Sequence, residues 1–565
     1  MAQADLFPGQ SGLPVDNPTE SYWLKEPSEK LLGHRTTEQL PRTADVVIVG
    51  SGITGAFAAH FLKEKDPNLD IVMLEAREAC WGATGRNGGH CQPAIYASVA
   101  APHIAAFELR TYLYLKALVE EYSIPCDWHT TSGVHAFYSA QLFDVVRDAV
   151  ARLADGYPDL AANVAVVERG GTVPWLLEGE RREMTLDGLR VGGAAGAVVQ
   201  WNAASLWPYK LVAFVLERLL AAGRFNLQTN TPATGLSCSS SSSAATATTP
   251  GTGTRDHGGG STALWTVHTP RGTVTAPRVL LATNAYTSHL LPQFADLIVP
   301  VRGQVSALKP PPSPSPQSPL PPLPPPPQPP LDIGHTFAFA GEPGDPYSRD
   351  DYLIQRPPPA AELVFGGGRS HARGRGVGVW DDASMDEPVA WYLRGELGGL
   401  MDLSRRPPPS APSPTTSSDS PTTAAAAAAG ESEKEKKKQD LEPTYEWTGI
   451  MGYSRDGYPW VGVVPPSLGG GGGSDGRGLA VCAGFTGHGM PNAALCAKAV
   501  VSLMMMTTSD EKGEDAGEDD EEVVDLPPEY LLTKARVGAA RLLDEVDVVD
   551  AKGSLFMDFA HLGGL

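Results

Sequence analysis

Asp45-Val-Val-Ile-Val-Gly50-Ser-Gly52-Ile53-Thr54-Gly55 leads into an amphipathic run ending at Leu62, and Ile71-Val-Met-Leu-Glu75 follows. The spacing predicts an apolar strand, a glycine turn, a helix and a second apolar strand closed by an acid, which is a complete dinucleotide-binding βαβ unit. Gly50 permits the tight turn, Gly52 lets backbone N–H groups approach a pyrophosphate, and Gly55 lets helix and strand pack closely. The pyrophosphate belongs at the helix start, beside Ile53 and Thr54, where free N–H groups and the positive dipole end favour an anion. Glu75 is placed to accept hydrogen bonds from ribose hydroxyls. Its charge disfavours a 2′-phosphate and hence NADP, leaving NAD and FAD open at this point.

The 565-residue chain exceeds one compact core, so two or more domains are expected. A formal charge of −21 disfavours nucleic acid and anionic membrane surfaces, both of which select Lys and Arg. The six cysteines form no CxxC pair, which points to reduced thiols and away from a zinc site. No run reaches the ~18–20 apolar residues needed to span a bilayer. With no signal-peptide pattern at the start, a cytoplasmic protein without membrane contact is the expectation.

Residues 1–43 lack periodicity and read as a surface arm, with Trp23 as its anchor. Helical spacing runs from His103 to Tyr122, and Gly133 to Tyr138 reads as a strand before a helix to Leu153. Trp207-Pro208-Tyr209-Lys210 opens an amphipathic helix, with Pro where a missing N–H does no harm. Val279 to Tyr286 is a buried strand whose ending, Thr283-Asn284, is of the kind that abuts a ligand at the carboxyl edge of a sheet. Asp351–Arg356 and Glu362–Arg369 alternate like an antiparallel hairpin. Leu479 to Met490 is a strand and a second glycine turn, leading into a helix to Met506. Tracts at 237–262, 309–330, 406–440 and 508–525 are low-complexity or strongly charged and are expected to be looped out. Residues 526–565 form a C-terminal extension, with a short helix expected between Leu526 and Leu543.

Leu74-Glu75-Ala76-Arg77-Glu-Ala-Cys-Trp-Gly82-Ala83-Thr84-Gly85-Arg86-Asn87-Gly88-Gly89 resembles the N-terminal signature of FAD-dependent oxidoreductases of the D-amino acid oxidase superfamily. Within it the likeness is to the branch of γ-glutamylputrescine and sarcosine oxidases and related fungal amine oxidoreductases. Ala282-Thr283-Asn284-Ala-Tyr286, Val301-Arg302-Gly-Gln304, Gly457-Tyr-Pro459-Trp-Val-Gly462 and Gly484-Phe-Thr-Gly487-His488-Gly489-Met490 follow in that family's order, across about 44–505. The resemblance implies an α/β protein, α+β overall. A Rossmann-type FAD domain comes from 44–93, 205–305 and 445–505, and a substrate domain with an antiparallel sheet from 94–204 and 331–405, both assembled from discontinuous segments.

It also implies the chemistry: an amine or N-substituted amino acid gives a hydride to flavin N5, and oxygen takes the electrons as hydrogen peroxide. Cofactor contact is expected from the fingerprint residues, Glu75 to Arg77, Gly82 to Thr84, Arg86 to Gly89, Ala233, Thr283, Asn284, Gly457, Pro459 and Gly487 to Met490. The Gly487-His488-Gly489 turn precedes a helix, whose dipole can stabilise negative charge on the reduced ring. Arg302, His488 and Lys210 are the candidates for a group near N5, and Arg356 and Arg369 for gripping substrate. His90 reads as a loop residue or a neighbour of the ring. No cysteine stands between Trp447 and Arg455, where sarcosine oxidases attach flavin, so FAD is expected to be held non-covalently. A donor with a CH–OH group and a flavin-binding protein without turnover remain as alternatives.

Overall fold

The computed structural model describes residues 6–7, 9–97, 101–174, 183–239, 263–312, 330–405, 440–473, 475–506 and 524–543. The interiors of all four low-complexity tracts fall outside these residues, as does most of the segment after the acidic run.

Two sheets organise the chain. The first has six strands in the order Trp460–Val463, Leu479–Ala483, Arg278–Leu281, Val46–Val49, Ile71–Leu74, Phe225–Gln228. All neighbours are parallel except the first pair. Val46–Val49 and Ile71–Leu74 are buried along their whole length, which is why they read as continuous apolar runs and not as alternation. Helix Ile53–Lys65 packs against helix Ala493–Met505, and Phe57, Phe61, Ala497, Val500 and Val501 share one core. Each fully buried Val or Phe there stabilises the layer by roughly 1.5–3 kcal/mol.

The second sheet has nine strands. Its path is Pro443–Ser454, Ile298–Leu308, Leu363–Gly366, Asp345–Gln355, Thr336–Glu342, His129–Phe137, Gly196–Ser205, His90–Cys91, with Val164–Glu168 also on Gly196–Ser205. Thr336–Glu342 and His129–Phe137 run parallel, and the other neighbours antiparallel. The hairpin expected near 351–369 is present, with Leu353 opposite Phe365.

Sheet membership differs from the expected segments at three places. Ile298–Leu308, Pro443–Ser454 and His90–Cys91, expected wholly or partly with the dinucleotide unit, pair inside the antiparallel sheet. Helix Pro102–Tyr122, expected with the substrate domain, packs Phe107 and Leu115 into the core that holds Phe57. Pairing over hundreds of residues decides these memberships, and local apolar pattern is the same on either side. The long strand Ile298–Leu308 begins in the core of the six-stranded sheet at Ile298 and ends in that of the nine-stranded sheet at Leu308. Its middle lies where the two halves meet.

The arm at 6–43 is fastened by its aromatic cluster. Trp23 is wholly buried, donates from Nε1 to Asn87 O at 2.5 Å, and accepts at its carbonyl from Trp207 Nε1 at 2.6 Å. The C-terminal extension also packs back on the fold, as two short helical pieces, Pro528–Tyr530 and Lys534–Ala540. Among the described residues, no helix is long and apolar enough to cross a membrane.

Candidate active site

Three adjacent parallel strands end at one cavity: Val49 passes into Gly50, Leu74 into Glu75, and Leu281 into Ala282, and all of these but Leu281 line it. From the other half come Gly303 and Val305, Tyr352, and Gly449 to Met451. The cavity therefore runs from the carboxyl edge of the parallel sheet to the middle of the two long antiparallel strands.

At the parallel edge, backbone does the holding. Gly50 has φ +104°, and a Cβ there would meet Ala282 O at 2.5 Å. A Cβ on Gly55 would lie 2.0 Å from Gly50 O, so helix and strand touch as the fingerprint requires. The helix starting at Ile53 has no cap from the side of its own N-cap residue, Gly52. Thr84 Oγ1 accepts the Ile53 N–H at 3.1 Å from across the loop. Glu75 Oε2 accepts from Ser51 N at 3.0 Å and Ser51 Oγ at 2.6 Å, and its Oε1 from Arg77 N at 3.0 Å. An ionised carboxylate offers about four acceptor positions, so capacity toward the cavity remains.

Arg86 lines the same cavity and is 2% exposed. Its Nε donates to Thr448 O at 2.6 Å, its Nη2 to Thr19 O at 2.5 Å, and Asp382 stands 3.2 Å away. Burial pulls its pKa down to about 10, with Asp382 opposing. Among the described residues its Nη1 has no hydrogen-bond partner. A buried donor of this kind calls for an acceptor that the described residues do not supply. Together with the open glycine turn and the helix start, it fits the oxygen-rich phosphate and ribose portion of FAD.

At the antiparallel wall, His90, Gln92 and Tyr352 line the cavity. Burial lowers the His90 pKa to about 4, so its ring is neutral at neutral pH, and it meets Tyr352 edge-on at 5.6 Å. Behind it, His135 bonds to Gln92 through Nε2 and to Tyr96 through Nδ1, and burial lowers its pKa to about 3. His488 lines the cavity from the second glycine turn, where Gly487 has φ +77°, and pairs with the buried Glu108 at 2.9 Å.

Of the expected cofactor residues, Gly50, Gly52, Ile53, Thr54, Glu75, Ala76, Arg77, Gly82, Ala83, Thr84, Arg86, Asn87, Gly88, Ala233, Thr283, Asn284, Gly487, His488, Gly489 and Met490 line the cavity. Gly55 and Gly89 lie behind the wall, Gly89 against Trp23 and Ile354. Gly457 and Pro459 stand away from it, in a turn clamped by Arg536, which pairs with Asp456 at 2.7 Å and donates to Pro459 O. The basic candidates are elsewhere. Arg302 pairs with Asp386 at 2.9 Å, and Arg369 with Asp350 at 3.0 Å. Arg356 pairs with Asp127 at 2.6 Å and lies over the rings of Trp23 and Trp207, where it secures the arm. Lys210 reaches Glu26 at 2.7 Å over the Trp207 ring. None of the four lines the cavity.

Four residues in or behind the cavity wall had no signal in the sequence. Asp382, wholly buried, joins Arg77 at 2.9 Å to Arg86 from a loop three hundred residues away. Leu13 and Pro14 of the arm line the cavity, and Glu108 sits on an ordinary amphipathic helix.

Comparison with known proteins agrees with this layout. Residues 45–503 match the family model described as FAD dependent oxidoreductase. The probable oxidoreductase OrdL of Rhizobium meliloti is 25% identical over 278 residues, 47% of this chain and 55% of that protein. A coproporphyrinogen III oxidase of Staphylococcus aureus is 44% identical over 50 residues, 9% of each chain. The match thus spans little more than half of one curated relative and under a tenth of the other. Among solved structures, glycine oxidase of Geobacillus kaustophilus superposes with a TM-score of 0.54 at 17% identity, over 82% of this chain and 95% of that one. L-amino acid deaminase of Proteus vulgaris gives 0.55 at 15% identity, over 86% and 96%. These two likenesses speak to the fold, and the family match extends over most of the chain, from the first strand through the second glycine turn to the helix behind it: the protein belongs to the DAO family of FAD-dependent oxidoreductases.

Proposed function

We propose that the chain oxidises an amine, or an amino acid substituted on nitrogen, with FAD held non-covalently and oxygen as the final acceptor. Bound FAD would supply a ring that takes a hydride from the carbon next to the substrate nitrogen. Gly50, Gly52, Glu75 and Arg86 would hold its phosphate and ribose portion, and the Gly487–Met490 turn its ring end. The observation that carries the donor class is the state of the cavity wall. Among the described residues, Arg302, Arg356 and Arg369 are each matched to an aspartate outside the lining. His90, within it, is neutral because burial penalises its charge. Among the described residues this wall offers no dedicated cation to a substrate carboxylate, which favours a simple amine over any donor bearing a carboxylate, the N-substituted amino acid included. A neutral amine transfers hydride without an elaborate acid–base relay, and the wall, with Tyr352, Gln92 and His90, matches that modest demand. The acidic charge of the chain and its reduced cysteines support a cytoplasmic setting with small-molecule partners.

An anaerobic screen of primary amines, N-alkyl amino acids, α-amino acids and hydroxy acids tests this. Amines should bleach the flavin, and admission of air should restore the colour and release peroxide. Bleaching by hydroxy acids alone overturns the donor class. Flavin remaining in an acid-precipitated pellet overturns non-covalent binding.

A further inference from the structure

Glu108 stands on helix Pro102–Tyr122 with its side chain 4% exposed, and every polar neighbour it has among the bonds described below is a donor. Oε2 accepts from Ala94 N at 2.7 Å and pairs with His488 Nε2 at 2.9 Å, and Oε1 accepts from Asn492 Nδ2 at 2.9 Å. Asn492 Nδ2 also donates to His488 O at 3.0 Å, and Asn492 Oδ1 accepts from the Tyr530 hydroxyl at 3.0 Å. Tyr530 is buried edge-on against Phe107 at 5.8 Å, and burial keeps its phenol protonated by holding the pKa well above the ordinary value.

The direction of this chain of bonds is forced. An ionised carboxylate only accepts, so His488 presents an N–H at Nε2. Turning the Asn492 amide would set its oxygen against the Glu108 carboxylate and the His488 carbonyl, two acceptors. The Tyr530 hydroxyl reinforces the same orientation from the far side. His488 lines the cavity, and Glu108 and Tyr530 do not. Tyr530 lies beyond residue 503, where the family match ends.

We propose that Glu108, locked through Asn492 by Tyr530 of the C-terminal extension, is the positioning residue that fixes the orientation and tautomer of His488 at the cavity wall. A segment outside the family span thereby sets the geometry of the second glycine turn. This rests on the FAD reading above for its effect on turnover, and on this chain alone for its effect on His488.

The test uses the full chain, with and without FAD. Histidine-selective 15N spectra, with the His488 signal assigned from His488→Asn, report the tautomer directly. Glu108→Gln keeps the shape but sets an NH2 among donors. It should shift the His488 signal away from the Nε2-protonated form and lower kcat about 10- to 100-fold, the range for losing a hydrogen bond to a charged group, with KM changed much less. Tyr530→Phe loses one hydroxyl only and should act in the same direction by about 3- to 10-fold. Glu108→Asp, which keeps an acceptor-only group, should retain more of the wild-type signal than Glu108→Gln. An unchanged His488 signal in both Glu108→Gln and Tyr530→Phe, with only a lower melting temperature, overturns the proposal. If Glu108→Gln fails to fold, Tyr530→Phe decides. Wild-type protein that takes up no flavin defeats the FAD reading, while the flavin-free spectra still decide the positioning.

Discussion

The two halves of the cavity hold polar groups in opposite ways. At the parallel sheet the wall is backbone: glycine turns at Gly50 and Gly52, a helix start capped only by Thr84 from across the loop, and a donor at Arg86 that lacks an acceptor among the described residues. At the antiparallel sheet the arginines stand outside the cavity lining and are ion-paired there, Arg302 with Asp386, Arg356 with Asp127 and Arg369 with Asp350. A half left open in this way is built around a charged ligand. A half whose charges are closed on one another presents neutral and aromatic groups instead, which suits a less polar partner.

Gly50→Val is the most direct way to break that contrast. The residue sits at φ +104° and its Cβ would lie 2.5 Å from Ala282 O, a backbone atom that cannot step aside. Loss of FAD should be near complete, read as the ratio of flavin to protein absorbance, with circular dichroism confirming that the sheets persist. Full flavin content in a folded Gly50→Val protein would mean that the cofactor does not lie on this turn.

Asp382→Asn should come next. The residue belongs to a loop after the antiparallel hairpin yet neutralises Arg77 and Arg86 of the dinucleotide half. Removing one partner of a buried ion cluster leaves uncompensated charge and costs about 3–5 kcal/mol. Urea unfolding with and without added FAD measures it. A cost below ~1 kcal/mol would show that the arginines are neutralised from elsewhere, and that the halves are less coupled than their contacts indicate.

The sequence made the first half legible because its function is carried by residues that act through what they lack. A glycine at a turn, or a strand without polar residues, marks its position locally, and the spacing of Gly50, Gly52, Gly55 and Glu75 leaves one geometry. Asp382 and Glu108 act through what they face, across three to four hundred residues, and nothing at their own positions separates them from solvated acids. By sequence, Arg302 is a candidate for the group near N5, and Arg356 and Arg369 for gripping substrate. Their aspartates come from other segments, so the pairing that takes them out of the cavity has no local sign. Gly457 and Pro459 went astray for the same reason: the turn they form is clamped by Arg536, from a segment the resemblance did not cover.

Acid should expose the antiparallel half. His90 and His135 are held neutral by burial, with pKa values of about 4 and about 3 against an ordinary 6.5. Between those values and 6.5 the unfolded chain binds more protons than the folded one, so stability is full above about pH 6.5 and falls as pH drops toward 4. His135→Gln should flatten the melting temperature against pH over this window, even if it lowers stability at neutral pH. An unchanged slope would place the acid sensitivity in the other half.

The smallest effect expected is that of Lys210→Ala, and it sharpens the contrast by its smallness. The sequence makes Lys210 a candidate for the positive group near N5, but its ammonium pairs with Glu26 at the surface over the Trp207 ring, 3.8 Å from the centroid. Exposed pairs contribute about 0–1 kcal/mol, and a solvated cation over a ring face about 0.5–1 kcal/mol. The melting temperature should drop slightly, and the rate at which the reduced protein reacts with oxygen should stay within about twofold of wild type, because no lining residue changes. A tenfold loss in that rate, at unchanged flavin content, would require the helix beginning at Pro208 to turn its lysine inward during turnover, and the arm fastened by Trp23 and Trp207 would then be a moving part of the site.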